Sequence, residues 1–389
     1  MKFFITFGYL DKNILFPILG GIFKCLANIT IIKTNFVEYS LVLSIGSSLG
    51  MSLSFIFLII YKCKNKFNKI DINNQNNNEN SQKTKIQLLY NDQYREINRE
   101  KYKFIFLTSI FDFLLTITIL EFCHEVKINS WIFDIFFMCL FSKLFLKRKN
   151  YKHHYISMIL IIIAGIILDI SLGNYTGFIN QIIPNMIQLF CEIFFSLGIV
   201  INKYTMEYKF ASEYEICTYQ GIFGLFLYII IFFLSKYIYF LKILDNFHDF
   251  NINNLIIFLV YAFIQLIYNL CIFFTINYNS TCHFLIIIIL SYLSRYFIKL
   301  IDGDEHSILI IVILSFILFM TLIFNEIIEL NCCGLSKNTK KNISIRAKIE
   351  KHMIANGIND DSWCLETEIE MKTMPSDEES RRQSTIINN

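Results

Sequence analysis

The sequence predicts an all-α polytopic membrane protein of ten transmembrane helices arranged as two inverted five-helix repeats. Three observations carry this. Hydrophobic residues make up 54% of the 389 positions and charged ones only 17%, well below the ~25% of a soluble domain. Apolar runs of about twenty residues recur along most of the chain, the length a helix needs to cross a ~30 Å hydrocarbon core. One short segment appears twice, with its flanking charge reversed.

The apolar runs lie near residues 13–32, 39–61, 103–121, 130–147, 155–172, 182–202, 215–235, 254–275, 281–299 and 307–327. Residues 1–12 are too short and too weakly basic for a transit peptide. No small-residue cleavage site follows the first run, so it reads as a retained helix behind a short cytosolic N-terminus. The first repeat then spans 13–172 and the second 182–330. Between the second and third runs, "CKNKFNKIDINNQNNNENSQKTK" is Asn-rich and basic. With too little apolar surface to fold alone, the 62–102 loop is expected to be a disordered tether, and the tail 335–389 likewise.

Orientation follows from Lys and Arg in the short loops. With a cytosolic N-terminus, the inner loops 62–103, 147–154, 203–214 and 276–280 hold ten, four, two and zero of them. The outer loops hold only Lys33, Lys127, Lys236 and Lys242. Both termini are therefore expected in the cytosol. An endomembrane or organelle membrane is favoured over the plasma membrane. The sequon at Asn174 falls on the outer side, where glycosylation occurs. Cys332 and Cys333, just after the last run, suit palmitoylation, with two unmodified thiols the plainer alternative. Ser384 after Arg381-Arg382, and Ser376 before an acidic run, fit kinase patterns that also arise by chance. The eleven cysteines match no metal or disulfide spacing.

The recurring segment is "LFSKLFLK" (140–147) against "YLSRYFIK" (292–299), a gapless offset of 152. Ser142, Lys143, Phe145 and Lys147 fall on Ser294, Arg295, Phe297 and Lys299. The loop that follows is basic in the first copy, "RKNYKHH", and acidic in the second, "LIDGDEH". A unit with an odd number of spans must be inverted in its second copy, so one loop faces the basic side and the other faces outward. Such repeats are the mark of secondary transporters, whose site lies at the midplane between halves.

At 1.5 Å per residue, a point about ten residues into a span lies near the bilayer centre. Lys24, Asp112 and Glu192 reach that depth and Asn269 comes close to it. An ionised group facing lipid there costs at least ~2.5–3.5 kcal/mol, so these side chains are expected to turn toward partners or a wet cavity. They are the candidate substrate-binding residues. The plainer alternative is a buried ion pair that fixes packing, such as Lys24 with one acid. Asp134, Lys143 and Arg295 fall nearer the faces, where gating or snorkelling suits them. Gly46 to Gly50 forms a small-residue face, and Gly221 with Gly224 another. His153-His154 is the one pair with a catalytic flavour, and no acid partner accompanies it in the sequence.

Ten spans, "YQGIFGLF" in span 7, the mid-span Asp112, "FLKRKNYKHHYISMILIIIAGI" and "FNEII" together resemble the drug/metabolite transporter superfamily. Within it the chain is similar to the F subgroup of solute carrier family thirty-five and to the chloroquine-resistance-transporter-like proteins, the latter through "YNSTCHFLIIIILSYLSRYFIKLIDGDE" (278–305). The resemblance covers roughly 13–330 and rests on the ensemble of these stretches. It implies two inverted five-helix repeats around a central cavity and exchange or secondary-active transport of small organic solutes. It places Asp112 on the family's cavity-lining acid and Asn269 on a polar span-8 position. The chain departs from it in three places. "SWIFDIF" stands where solute carriers have an LRG-type motif, Ile288 and Ser291 replace an Asp/Arg pair, and 236–253 contains no Cys. Substrate specificity therefore does not carry over.

The function expected is a secondary transporter or exchanger with alternating access, coupled to protons if its acids exchange them. The alternative is a non-transporting scaffold or lipid-handling protein. No enzyme is expected, since His153-His154 has no acid partner or Cys/Ser triad beside it in the sequence, and no primary pump, since no GxxxxGK[ST] loop occurs. No metal and no cofactor is implied. The expected partners are membrane lipid, the solute and protons, with a homodimer left open and nucleic acid excluded.

Overall fold

A computed structural model of the chain describes residues 5–7, 14–33, 40–64, 99–115, 130–171, 182–235, 252–304, 306–330 and 339. Its helices are α1 (Leu15–Lys33), α2 (Ser40–Leu53, continuing past a turn at Ser54 to residue 64), α3 (99–115), α4 (Asp134–Phe145), α5 (Lys152–Ser171), α6 (Ile182–Lys209), α7 (Glu213–Ser235), α8 (Ile252–Tyr278), α9 (Phe284–Ile301) and α10 (His306–Phe324). Short 3₁₀ turns, Ser130–Phe133 and Thr281–His283, lead into α4 and α9. Two of the three prolines in the chain, Pro17 and Pro184, sit in the first turns of α1 and α6. There the missing N–H has no intrahelical partner to lose.

Seven helical stretches are long and apolar enough to cross a membrane: Ser44–Lys64, Lys152–Ser171, Met186–Lys209, Glu213–Ile231, Leu255–Tyr278, Thr281–Ile301 and Ser307–Phe324. Leu15–Thr30 is a shorter apolar helix. The chain is thus a multi-pass helical membrane protein by composition and length. Helices α3 and α4 abut residues 116–129, which lie outside the described residues, as do Asn174, Cys332, Cys333, Ser376 and Ser384.

Residues 203–214 differ from their expected form. The sequence reads them as a polar loop, but α6 runs on to Lys209 and α7 starts at Glu213, leaving only 210–212 as a turn. The charges there are neutralised by partners, as shown below, so the helices can continue through them.

Packing relates distant parts of the chain. α1 lies against α8 and α9, α2 against α7 and α8, α5 against α10, and α4 against α6. Ring contacts bind α3 to α6 (Phe111 with Phe194, 5.4 Å between centroids) and to α7 (Phe106 with Phe223, 5.2 Å). Close approach needs small residues. A Cβ on Gly221 would strike the backbone of Ser52 in α2, and one on Gly50 the backbone of α8 at Ala262 and Leu266. Outward-facing Ile163, Ile167, Phe226 and Phe263 are the exposed apolar surface that lipid would cover.

The chain start and the end of α10 meet in a two-stranded antiparallel ladder, β1 (Ile5–Phe7) with β2 (Ile328–Leu330). This is the end of the bundle that carries the basic 148–154 connection, because His153 at the start of α5 reaches Glu326 just after α10. The acidic α9–α10 connection lies at the other end. Ser142, near the end of α4, bonds Thr281 at the start of α9 at 2.9 Å, so these helices run in opposite directions.

Candidate functional site

Inside the apolar bundle, polar side chains gather in three places, each between an early helix and a late one. Asp112 of α3 accepts a hydrogen bond from Gln220 Nε2 of α7. Gln220 is buried, and its Oε1 has no partner among the described residues. Phe113 and Tyr228 also join α3 to α7, with ring centroids 5.2 Å apart.

Between α4 and α6, Asp134 is 1% exposed. Its Oδ1 accepts from Ser196 Oγ at 2.9 Å, and its carboxyl stands within hydrogen-bonding range of the Glu192 carboxyl. Asp134 Oδ2 has no donor among the described residues. Tyr292 of α9 stands close enough to feel both acids, and Trp131 stacks on it at 5.1 Å.

Between α1 and α8, Lys24 Nζ sits 4.8 Å above the ring of Tyr268. A cation over an aromatic face is attracted by the ring quadrupole, more so away from water. One turn further along α1, Asn28 donates to Ser291 of α9 at 3.0 Å.

The sequence reading drew Lys24, Asp112, Glu192 and Asn269 around one chamber. The structure gives each acid and the lysine a partner from a different pair of helices. Lys24 forms no ion pair among the described residues, so the packing alternative of Lys24 with an acid is not what is seen. Asn269 turns its amide back to the Gln265 carbonyl of its own helix, 2.8 Å away. Asp134, expected near a face in a gating role, is buried between α4 and α6 against another carboxyl. Lys143 and Arg295 are exposed, as snorkelling side chains are. Gly221 and Gly224 press on α2 at Ser52 and Ser48.

A second polar region closes the basic end. Lys101 of α3 pairs with Glu215 of α7 at 2.9 Å, and Lys62 of α2 reaches the same glutamate at 3.7 Å. Arg148 pairs with Glu207 at 2.7 Å, Lys203 with Glu207 at 3.0 Å, and Lys209 with Glu100. Lys203 Nζ also donates to the Asn277 and Asn279 carbonyls at 2.6 and 3.2 Å, tying α6 to the end of α8. Beside them, Tyr214 packs on Phe274 and on Phe57 and Tyr61 of α2, while Phe16 of α1 stacks on Phe274. Lys209 holds the Glu100 carboxyl below its usual range by hydrogen bond and charge.

His153 and His154 do have an acid partner, contrary to the sequence reading. Glu326 Oε1 lies 3.2 Å from His153 Nε2 and 3.9 Å from His154 Nε2. Their ligand atoms fall within 4.8 Å of one another, the spacing of a metal triad. The donor chemistry argues otherwise. His154 Nδ1 accepts the backbone N–H of Tyr151 at 3.1 Å, so a neutral His154 carries its proton on Nε2 and donates it toward Glu326. The cluster is a hydrogen-bonded knot between α5 and α10. Glu326 holds it from a positive φ of 59°, a strained backbone position for a residue with a Cβ.

Gln220, Ser196, Tyr268 and Glu326 escaped the sequence reading. Gln220 had a signal: it is an amide within the apolar "YQGIFGLF" run, of the same kind that singled out Asn269. The others are ordinary residue types until a partner is known.

The fold and these groups define a multi-pass helical membrane protein with ionisable side chains buried among its helices and a cluster of ion pairs at one end. Neither a family model nor a curated protein matches the chain.

Proposed function

We propose that the protein is a secondary transporter or exchanger of a small organic solute, built as two inverted five-helix halves that alternate access to a central cavity, with protons as the coupling ion. One observation carries this reading. Of the ion pairs at the basic end among the described residues, all but Lys203–Glu207 join an element of α1–α5 to an element of α6–α10. Charged ties of that kind hold two bodies together and can be broken and remade in water at the end of the bundle. Packed apolar surface between the same bodies has no such reversible lock.

Two further features support the reading. Exchanging α1–α5 for α6–α10 turns the α1–α9 contact into α6–α4, and the α2–α8 contact into α7–α3. It leaves α2–α7 and α5–α10 unchanged. A two-fold relation between halves has this property. Asp112 and Gln220 also face each other across the halves, with an acceptor on Gln220 left for a ligand to satisfy. An acid and an amide carbonyl suit a solute with a cationic or hydrogen-bond-donating group. The membrane in which this takes place, with both termini on the cytosolic side, is part of the same proposal, as is the absence of catalysis.

The test is reconstitution in liposomes and a screen of amino acids, short peptides, nucleotide-sugars and organic cations, with and without a pH gradient. At least one class should show saturable uptake that unlabelled solute inside the vesicle accelerates. Asp112→Asn should reduce that uptake tenfold or more while leaving the detergent-extracted protein folded. Vesicles that exchange no class faster than protein-free ones would refute the proposal and favour a scaffold.

A further inference from the structure

Asp134 is the one carboxyl among the buried side chains of the described residues that leave a polar atom without a hydrogen-bond partner. It is 1% exposed, lies between α4 and α6, and forms no ion pair among the described residues. Ser196 satisfies its Oδ1 at 2.9 Å, but no donor reaches Oδ2. What stands beside it is a second carboxyl, that of Glu192. Two carboxylates bring only acceptors to such a contact, and two negative charges at that range repel strongly in a medium of low dielectric. One proton between them removes both difficulties. It turns one acid into a donor, satisfies the orphaned oxygen and leaves the pair with a single negative charge.

We propose that Asp134 and Glu192 hold one proton in common, making the α4–α6 interface a proton site. Among the described residues, Ser196 on α6 bonds it and Tyr292 on α9 feels the charge of both acids, while the exposed Arg295 one turn along α9 acts on Tyr292. When the proton leaves to water, both oxygens become acceptors and the pair gains a second charge. The interface must then take up a cation or move apart. Because α4 belongs to the first half and α6 to the second, loss of the proton works against the contact between halves. That this proton is the one coupled to solute movement rests on the transport reading above. The presence of the site does not.

The site has a direct spectroscopic readout. A protonated carboxyl has a carbonyl stretch apart from those of carboxylates and amides, and it shifts in heavy water. The full chain in detergent should show such a band at neutral pH, which disappears on alkaline titration. Asp134→Asn and Glu192→Gln should each remove it, since an amide donates to the remaining carboxylate and no shared proton is left. Asp112→Asn should leave that component unchanged, which separates this pair from other acids in the bundle. Spectra of the two variants that superimpose on that of the unaltered protein would overturn the proposal. So would a band lost in only one of them, because the proton would then belong to a single group.

If neither variant folds, a hydrophobic carbodiimide applied to the unaltered protein decides, because it reacts with protonated carboxyls in apolar surroundings. Adducts on Asp134 or Glu192 at neutral pH, suppressed at alkaline pH, support the site, and a peptide map without them sinks it. The two proposals fail separately. A band without solute exchange leaves the proton site standing and removes the transporter. Exchange without the band does the reverse.

Discussion

At the basic end Lys101 meets Glu215 at 2.9 Å, with side chains 6% and 12% exposed, whereas between α4 and α6 Asp134 meets another carboxyl. Both contacts join the first part of the chain to the second, and each has a buried member, Lys101 and Asp134. They differ in what completes them. The Lys101–Glu215 pair is complete in itself, so only separation of the halves breaks it. The Asp134–Glu192 pair needs something from outside, a proton or a cation. On the transport reading proposed above, the first kind of contact is a lock at one end and the second a sensor elsewhere.

The comparison breaks most severely at Glu215. Glu215→Gln leaves the Lys101 ammonium buried without its charge partner, and breaking such a pair costs roughly 3–5 kcal/mol. Thermal unfolding in detergent should show a large loss of stability. Replacing both residues by apolar ones of similar size should restore much of it, because the penalty comes from the uncompensated charge rather than from the lost attraction. If Glu215→Gln unfolds like the unaltered protein, the end is not held by charge and the first half of the comparison fails.

How far these regions were legible in the sequence follows from the same contrast. Hydropathy finds the helices to within a few residues because burial in lipid is an average property of twenty side chains. Pro17 and Pro184 mark helix starts for a local steric reason. The continuation of α6 to Lys209 was not legible, since the charges that stop a hydropathy window there are paired with Glu100 and Arg148 or hydrogen-bonded to the Asn277 carbonyl, all distant in sequence. Glu192 stood out by its depth in span 6. That Asp134 meets Glu192 was not legible, because counting residues measures depth along one helix and says nothing about the neighbour. Glu326 as the partner of His153 was hidden likewise: the two are 173 residues apart.

The next effect concerns how close the halves come. Gly221 lies so near α2 that an added Cβ meets the backbone at Ser52, whereas one on Gly224 meets the Ser48 hydroxyl at 2.7 Å. Backbone cannot rotate aside and a hydroxyl can. Gly221→Ala should therefore cost about 1–3 kcal/mol through forced separation of α7 and α2, and Gly224→Ala clearly less. Equal losses for the two, measured side by side by thermal unfolding, would mean that the helices slide freely at this face.

The smallest effect sharpens the comparison within the basic end itself. Lys209 and Glu100 form an ion pair like Lys101 and Glu215, but the Glu100 side chain is 52% exposed. Water and salt screen an exposed pair, and holding two long side chains in place opposes it. Lys209 lowers the Glu100 carboxyl from its ordinary value of 4.5. The pair therefore contributes stability above that value and loses it as pH falls through the lowered one. Glu100→Gln should change the unfolding temperature only slightly at low salt, and the difference should vanish at high salt and in acid. The Glu215→Gln penalty should survive high salt, because ions do not reach a buried pair. Should the two variants respond to salt alike, burial would not be what distinguishes them, and the lock would be a surface charge pattern rather than a set of dry contacts between halves.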